Sequence, residues 1–171
     1  MNQHRAVHQA ASLLLSYPDQ RWPAHRALVL ESIGGLSGPA TESLRRFCRR
    51  TADVPLLDLA AQYVTTFDRS RRRTLHLTHY AAGDPRRRGA SLAALEDRYR
   101  HYGWEPTGGE PPDHLPAVLE FAARCPAAGH AVLHEHRGAL ALLAAGLAAE
   151  GSPYLDVIRA VRATLGEGAR P

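Results

Sequence analysis

Helical spacing of apolar residues, interrupted repeatedly by proline and glycine, is the feature that most restricts the fold of this 171-residue chain. Apolar side chains recur three and four residues apart, which places them on one face of a helix. Proline cannot continue a helix interior and glycine weakens one, so these residues divide the chain into helical segments. No segment of any length alternates apolar and polar residues as a half-buried strand does. The sequence therefore predicts an all-α fold.

The length suits one domain with a sizeable core. We expect a single multi-helix domain over residues 1–165 and a flexible tail at 166–171. One helix should carry a stripe from Leu56 through Tyr63 to Phe67, and another should begin at Asp113 and run to about Arg124. A long helix ending near Gly151 is predicted from five residues spaced three and four apart, namely Leu133, His136, Leu140, Leu143 and Leu147.

Residues 109–116, with the sequence GEPPDHLP, form a stiff segment that leads into a helix. Each proline fixes its own φ and pushes the preceding residue towards extended conformations. Asp113 is a good N-cap for the helix that follows, and on this interpretation His114 is an ordinary first-turn residue. A second interpretation makes Glu110, Asp113 and His114 a polar recognition edge beside an apolar surface. Spacing favours the N-cap and does not exclude the recognition edge.

Motifs of phosphate-binding, dinucleotide-binding, metalloprotease and serine-hydrolase enzymes are absent, so nothing in the sequence supports an enzyme. Ten histidines raise the question of a metal site. Three pairs have helical spacing but no third ligand at a defined spacing, and we therefore predict no metal or other cofactor. The pairs are His4 with His8, His76 with His79, and His130 with His134.

Arginine supplies every basic side chain, and it clusters at residues 69–73 and 86–88. Such clusters contact phosphates in nucleic-acid-binding proteins. Aromatic residues are not interleaved with these arginines, which favours solvated loops over a nucleic-acid interface. A helical nucleic-acid-binding regulator remains the alternative from another functional class.

No apolar run is long enough to span a membrane, and the N-terminus lacks the apolar core of a signal peptide. Cys48 and Cys125 have no metal-binding or redox spacing, and we interpret them as buried thiols. These features favour a cytoplasmic protein. Tyr17 and Trp22 flank a turn that contains proline, and both are expected to be half-exposed.

Four motifs occur in an order and at spacings that resemble a known family. They are LLLSYPD at residues 13–19, YVTTFDR at 63–69, RG at 88–89 and EPPDHLP at 110–116. Together they resemble the family of nitrate reductase molybdenum-cofactor assembly chaperones (NarJ), over roughly residues 10–125. That family belongs to a wider all-α group of redox-enzyme maturation chaperones, which includes the TorD and DmsD type.

The resemblance implies a chaperone without catalytic activity or cofactor. It would bind the N-terminal segment of the immature catalytic subunit of a respiratory nitrate reductase. It would hold that subunit for molybdenum-cofactor insertion before membrane docking, without binding nucleic acid or inserting into the membrane. The matching motif positions are the expected client-binding residues: Glu110, Asp113, His114, Tyr63, Phe67, Asp68, Arg69 and Tyr17. A close alternative is a proofreading chaperone for a molybdoenzyme exported by the twin-arginine route. Either a monomer or a homodimer is compatible with the sequence.

Overall fold

A computed structural model describes residues 3–81 and 84–166. These residues form nine α-helices, one π-helical turn and one 3₁₀ turn, with no strand among them, so the all-α prediction is confirmed. The helices are α1 (Gln3–Leu14), α2 (Trp22–Ile33), α3 (Pro39–Thr51), α4 (Leu56–Tyr63), α5 (Pro85–His101), α6 (Leu115–Arg124), α7 (Pro126–Glu135), α8 (Arg137–Ala149) and α9 (Leu155–Thr164). The π-helical turn is Val64–Asp68 and the 3₁₀ turn is Leu77–Tyr80.

Helix α1 lies at the centre of the fold, where it packs against α2, α6 and α9. Val7, Ala11 and Leu14 of α1 are fully buried, as the helical spacing requires of its inner face. Helix α9 packs in turn against α3 and α8, and α6 packs against α7. None of the described helices is both long enough and apolar enough to cross a membrane.

An aromatic cluster joins the π-helical turn to α3 and α9. The ring of Tyr154 lies 5.0 Å from that of Phe47 and 4.9 Å from that of Phe67, measured between centroids. Tyr63 completes the cluster with its ring 4.9 Å from Phe67. Aromatic pairs at these separations add to the stability that burial already provides. Phe67 is therefore a core residue, with 3% of its surface exposed.

The single long helix predicted to end near Gly151 is wrong, because the chain bends at His136. Helix α7 ends at Glu135 and α8 begins at Arg137. The imidazole Nδ1 of His136 lies 2.9 Å from the carbonyl oxygen of Val132, and the backbone N–H of His136 donates to the same oxygen. The apolar spacing continues through this bend, so the periodicity carried no sign of it.

The expected half-exposure is correct for Tyr17, which is 54% exposed, and wrong for Trp22, which is 6% exposed. Trp22 packs edge-on against Phe47, so the first residue of α2 belongs to the core. Both cysteines are free thiols, with Cys48 buried and Cys125 half-buried. Of the tail predicted at 166–171, only Gly166 is among the described residues.

Gly129 of α7 lies against Ala122 of α6 so closely that a Cβ would overlap the Ala122 backbone. We expect Gly129→Ala to lower the free energy of unfolding by about 1–3 kcal/mol, because the two helices must separate to admit the methyl group. Urea unfolding followed by circular dichroism measures the difference.

The matched control is Gly138→Ala in α8, where an added Cβ meets no atom within 4 Å. This variant should be as stable as the original or up to about 1 kcal/mol more stable, since alanine favours helix more than glycine. Equal stability of the two variants would contradict the close α6–α7 contact.

Candidate functional site: a cleft at the start of helix α6

A cleft of about 550 Å³, here called the α6 cleft, opens where the start of α6 meets the end of α1 and the π-helical turn. The loop before α6 forms its outer wall through Pro106, Thr107 and Gly108. Five of the eight expected client-binding residues line this cleft, although they come from three separate motifs. They are Tyr17, Tyr63, Asp68, Glu110 and His114.

The other three expected residues do not line the cleft. Phe67 lies in the aromatic core beneath it, and Asp113 is fully buried. Arg69 is exposed at the end of the π-helical turn, outside the cleft lining. The motifs therefore combine residues that face the cleft with residues that support it from below.

Asp113 holds the start of α6 against the 3₁₀ turn. Its Oδ2 accepts hydrogen bonds from the backbone N–H of Thr78 at 3.0 Å and from the Thr78 hydroxyl at 2.6 Å. Its Oδ1 lies 3.5 Å from Nδ1 of His76. These three groups compensate for the loss of water around a carboxylate that is 0% exposed.

The prediction that Asp113 is the N-cap of this helix is wrong. Helix α6 begins at Leu115, and its N-cap is His114, whose side chain makes no capping hydrogen bond. The N–H of Leu115 donates to the carbonyl of Leu75 at 2.9 Å, and the N–H of Leu77 donates to the carbonyl of Asp113 at 3.1 Å. A distant backbone segment thus takes up the first N–H of the helix, and the Asp113 carboxylate turns towards that segment.

Two histidines beside Asp113 have pKa values shifted in opposite directions. Pairing with Asp113 raises the pKa of His76, whereas burial lowers the pKa of His114 against an opposing effect of Glu110. The two rings are in contact, with centroids 5.2 Å apart. Burial would raise the pKa of Asp113, but the pairing with His76 and the hydrogen bonds from Thr78 outweigh it and lower the pKa to about 2. The pair favours one positive imidazole on Asp113 and one neutral imidazole at the cleft wall.

Tyr17 is the exposed aromatic side chain of the cleft, and Tyr63 supports it. The Tyr17 ring packs edge-on against Tyr63 with centroids 5.7 Å apart. Tyr63 is buried, and its hydroxyl donates to the carbonyl of Leu15 at 2.7 Å, just beyond the end of α1. The aromatic surface of Tyr17 is thereby fixed at the rim of a cleft that Pro116 and Ala117 also line.

Carboxylates outnumber unpaired basic groups in the cleft lining. Asp68 and Glu110 are exposed, and Glu120 is half-buried. Arg21 also lines the cleft, but its guanidinium forms an ion pair with Asp19 at 2.9 Å. The cleft therefore suits a ligand that combines apolar surface with positive charge.

Sequence reasoning missed several residues of this site. Ser12 faces the cleft from α1 and Ser16 from just beyond its end, and two serines on either side of an apolar run of three leucines are a signal that was available. Ser12 also donates to the carbonyl of Pro116 at 2.7 Å. Thr78 and His76 had no comparable signal, because they lie some 35 residues before the Asp113 that they bind.

In the described part of the chain, no three His, Cys, Asp or Glu side chains are arranged to hold a metal ion. The histidine pairs that share helical spacing have other contacts. His4 lies between His8 and His130, with ring centroids 6.3 and 6.5 Å away. Nε2 of His8 lies 2.8 Å from the Thr164 hydroxyl, which ties α1 to α9.

The arginine clusters are partly structural. Arg73 donates to the carbonyl of Thr66 and forms an ion pair with Glu150 at 3.3 Å. Arg88 donates from Nε to the hydroxyl of Thr78 at 3.1 Å, the same hydroxyl that binds Asp113. Arg88 thus stabilises the surroundings of the α6 cleft, and both arginines have structural partners, which weakens the alternative of a nucleic-acid interface.

A model of the nitrate reductase delta subunit family matches residues 35–160. The chain belongs to this family. The match includes the motifs at 63–69, 88–89 and 110–116, so most of the resemblance found in the sequence lies within it. The motif that carries Tyr17 lies before the matched range.

Named relatives of this family are similar over most of the chain. NarJ of Bacillus subtilis, named as a nitrate reductase molybdenum cofactor assembly chaperone, is 34% identical over 161 residues, which cover 91% of this chain and 86% of that protein. NarJ of Escherichia coli K12 is 35% identical over 148 residues, covering 84% and 62% respectively. The nitrate reductase-like protein NarX of Mycobacterium tuberculosis H37Rv is 39% identical over 156 residues, and this chain spans about a quarter of its length (24%).

A solved structure has the same fold. A protein of Archaeoglobus fulgidus assigned to redox enzyme maturation superposes with a TM-score of 0.69 over 95% of this chain and 93% of its own, at 22% identity. The resemblance to the NarJ family that the motifs indicated is thus confirmed by family model, relatives and fold.

Replacing Asp113 with asparagine tests the anchor beneath the cleft. We expect Asp113→Asn to lower the free energy of unfolding at pH 7 by about 2–4 kcal/mol, because it removes the charge that His76 and Thr78 compensate. The folded-state pKa of about 2 lies below the ordinary value of 3.8. The carboxylate therefore contributes stability above pH 4 and loses it as the pH falls towards 2. Urea unfolding at a series of pH values measures both effects.

Asp68→Asn, which changes an exposed carboxylate of the same cleft, is the control and should change stability by less than about 0.5 kcal/mol.

The His76 pairing adds a stabilising contribution whose dependence on pH is opposite to that of Asp113. Because the pKa of His76 is raised above 6.5, this component is present below pH 6.5 and disappears as the imidazole loses its proton at higher pH. Equal stability losses in the Asp113 and Asp68 variants would refute the anchor.

Proposed function

We propose that this protein is an assembly chaperone for a respiratory nitrate reductase. It acts in the cytoplasm, without catalytic activity, on the immature molybdenum-containing subunit. It binds the N-terminal segment of that subunit in the α6 cleft and keeps the subunit competent for cofactor insertion before membrane docking. The observation that carries the proposal is this cleft, which combines an exposed aromatic ring, a few apolar side chains and free carboxylates in a chain of the nitrate reductase delta subunit family.

The cleft suits one face of an amphipathic helix. Such a helix buries apolar side chains in a groove and uses polar contacts to fix its position. In this proposal Tyr17 and Ala117 contact the apolar face of the client. Asp68 and Glu110 pair with a client arginine, lysine or terminal amine through charge-assisted hydrogen bonds.

The buried residues among the expected client-binding set have supporting roles. Asp113 does not meet the client, because its carboxylate is fully buried and already accepts bonds from Thr78. It positions His114, the next residue, at the cleft wall. Phe67 likewise supports Tyr63 from the core. Arg69, exposed beyond the cleft lining, meets a client segment that extends past the rim.

Calorimetric titration with a synthetic peptide of the N-terminal 15 residues of the cognate catalytic subunit tests the proposal. We expect saturable binding of one peptide per chain and none of a scrambled peptide. Asp68→Asn combined with Glu110→Gln should weaken binding about tenfold, because two charge-assisted contacts of roughly 0.7 kcal/mol each are lost.

A double variant outside the cleft controls for net charge. Asp58→Asn with Glu96→Gln removes the same charge from exposed positions of α4 and α5 and should leave the affinity unchanged. Equal affinities of both double variants would contradict the assigned site. Preference for a twin-arginine signal peptide over the native one would instead assign the protein to an exported molybdoenzyme.

The neutral state favoured for His114 predicts a pH dependence of binding. Protonated His114 would repel a client cation held by Glu110 and Asp68, so the affinity should fall several-fold between pH 7.5 and pH 5. His76 and Asp113 also face this imidazole, and both residues are present in the original protein and in the His114→Gln variant. Titrations of the original protein and of His114→Gln over this range measure the effect, and the variant should show a smaller fall. An identical pH profile in the variant would exclude His114 as its source.

A further inference from the structure

The α6 cleft lies at one end of the seam between α1 and α6. Two hydrogen bonds cross this seam, from the Ser12 hydroxyl to the carbonyl of Pro116 at 2.7 Å and from Arg5 Nε to the carbonyl of Ala123 at 2.9 Å. The bonded residues are seven apart on each helix and run in opposite order. The two helices are therefore antiparallel and in contact over two turns or more.

The residues that line the seam lie on one face of each helix. On α1 they are spaced three and four apart, and on α6 likewise, so each set forms a continuous stripe. Along α1 the stripe is Arg5, Gln9 and Ser12, with Ser16 just beyond the helix end, and along α6 it is Ala117, Glu120 and Arg124. A second cavity of about 400 Å³, which we call the far groove, lies between α1, α2 and the last turn of α6.

The far groove has an apolar wall and a basic end. Leu13 and Val29 line it, together with Leu28 of α2, which is 50% exposed. Arg5 and Arg124 are both exposed, and among the described residues no carboxylate lies within ion-pair distance of either. The far groove is thus basic, whereas the α6 cleft is rich in carboxylates.

We propose that the client segment binds as a helix along both halves of this seam, with its N-terminus in the α6 cleft and its C-terminal end at Arg5 and Arg124. This inference rests on the proposed function and adds an extent and a direction to it. A helix is positive at its N-terminus, where the chain amine adds further charge, and its last four carbonyl groups lack partners within the helix. Asp68 and Glu110 suit the first end, and the guanidinium groups suit the second.

The length of the seam sets the length of the client helix. Arg5 of α1 and Ser16, just beyond the end of α1, are eleven residues apart, which corresponds to about 16 Å at the helical rise per residue. A client helix of roughly three turns spans this distance. Its orientation is parallel to α6, which runs from His114 at the carboxylate end to Arg124 at the basic end. The preferred ligand is therefore an amphipathic helix with positive charge at its start and free carbonyls or carboxylates at its end.

Paramagnetic labels on the 15-residue client peptide test the direction. In amide spectra of the complex, a nitroxide at the peptide N-terminus should broaden the signals of Asp68 and Glu110. A nitroxide at the peptide C-terminus should broaden those of Arg5 and Arg124. The reverse pattern would overturn the direction, and undisturbed Arg5 and Arg124 signals with both labels would overturn the extent.

Removing the basic end tests its contribution to affinity. Arg5→Gln combined with Arg124→Gln should weaken binding of the peptide about fivefold in calorimetric titration. The control, Arg86→Gln with Arg87→Gln, removes equal charge from exposed positions at the start of α5 and should leave the affinity unchanged. Tight binding that is equal in both variants overturns this inference while the proposed function stands. Absence of binding to the unaltered protein overturns both.

Discussion

The buried carboxylate of Asp113 is the interaction on which the candidate site depends. A carboxylate without water is stable only when hydrogen-bond donors and an opposite charge replace the solvent, and Thr78 and His76 supply them. Those residues belong to a segment with one short helical turn, which two backbone hydrogen bonds also join to the start of α6. Arg88 at the start of α5 bonds the same Thr78 hydroxyl. One buried charge thus fixes the start of α6, the 3₁₀ turn and the start of α5 in one arrangement, and the wall of the α6 cleft with them.

The groove uses helices that the core already holds in place. Ser12 and Arg5 bond carbonyls of α6 across the seam, while the opposite face of α1 is fully buried among apolar side chains. A ligand on the outer side therefore meets a surface that is rigid before binding, which reduces the entropy lost on association. The separation of carboxylates from arginines along the same seam gives that rigid surface a polarity. Direction of binding can then be selected by charge, and affinity by the apolar wall.

The helices were predictable because their apolar spacing and the proline and glycine residues between them act locally. The bend at His136 was not, since both segments keep their apolar residues in phase across it. Trp22 was misjudged for a related reason: its partner Phe47 lies in another helix, and spacing within one helix says nothing about contacts with the next. The candidate site shows the same limit, since contacts between distant parts of the chain leave no local pattern in the sequence. Five cleft residues were found through their motifs, whereas the role of Asp113 depends on Thr78, which lies 35 residues earlier in the chain.

Within the motif at 110–116, neighbouring residues have different tasks, and this affects how any substitution there is interpreted. Glu110 is exposed and free to meet a ligand, His114 is half-buried at the cleft wall, and Asp113 is wholly internal. A variant that changes all three at once would lose binding whether or not the motif touches the client, because the loss of Asp113 alone displaces the start of α6. Recognition can be assigned only through exposed positions such as Glu110 and Asp68, in proteins whose stability is unchanged. On the proposed function, the motif combines a structural anchor with a binding surface, and the anchor holds that surface in position.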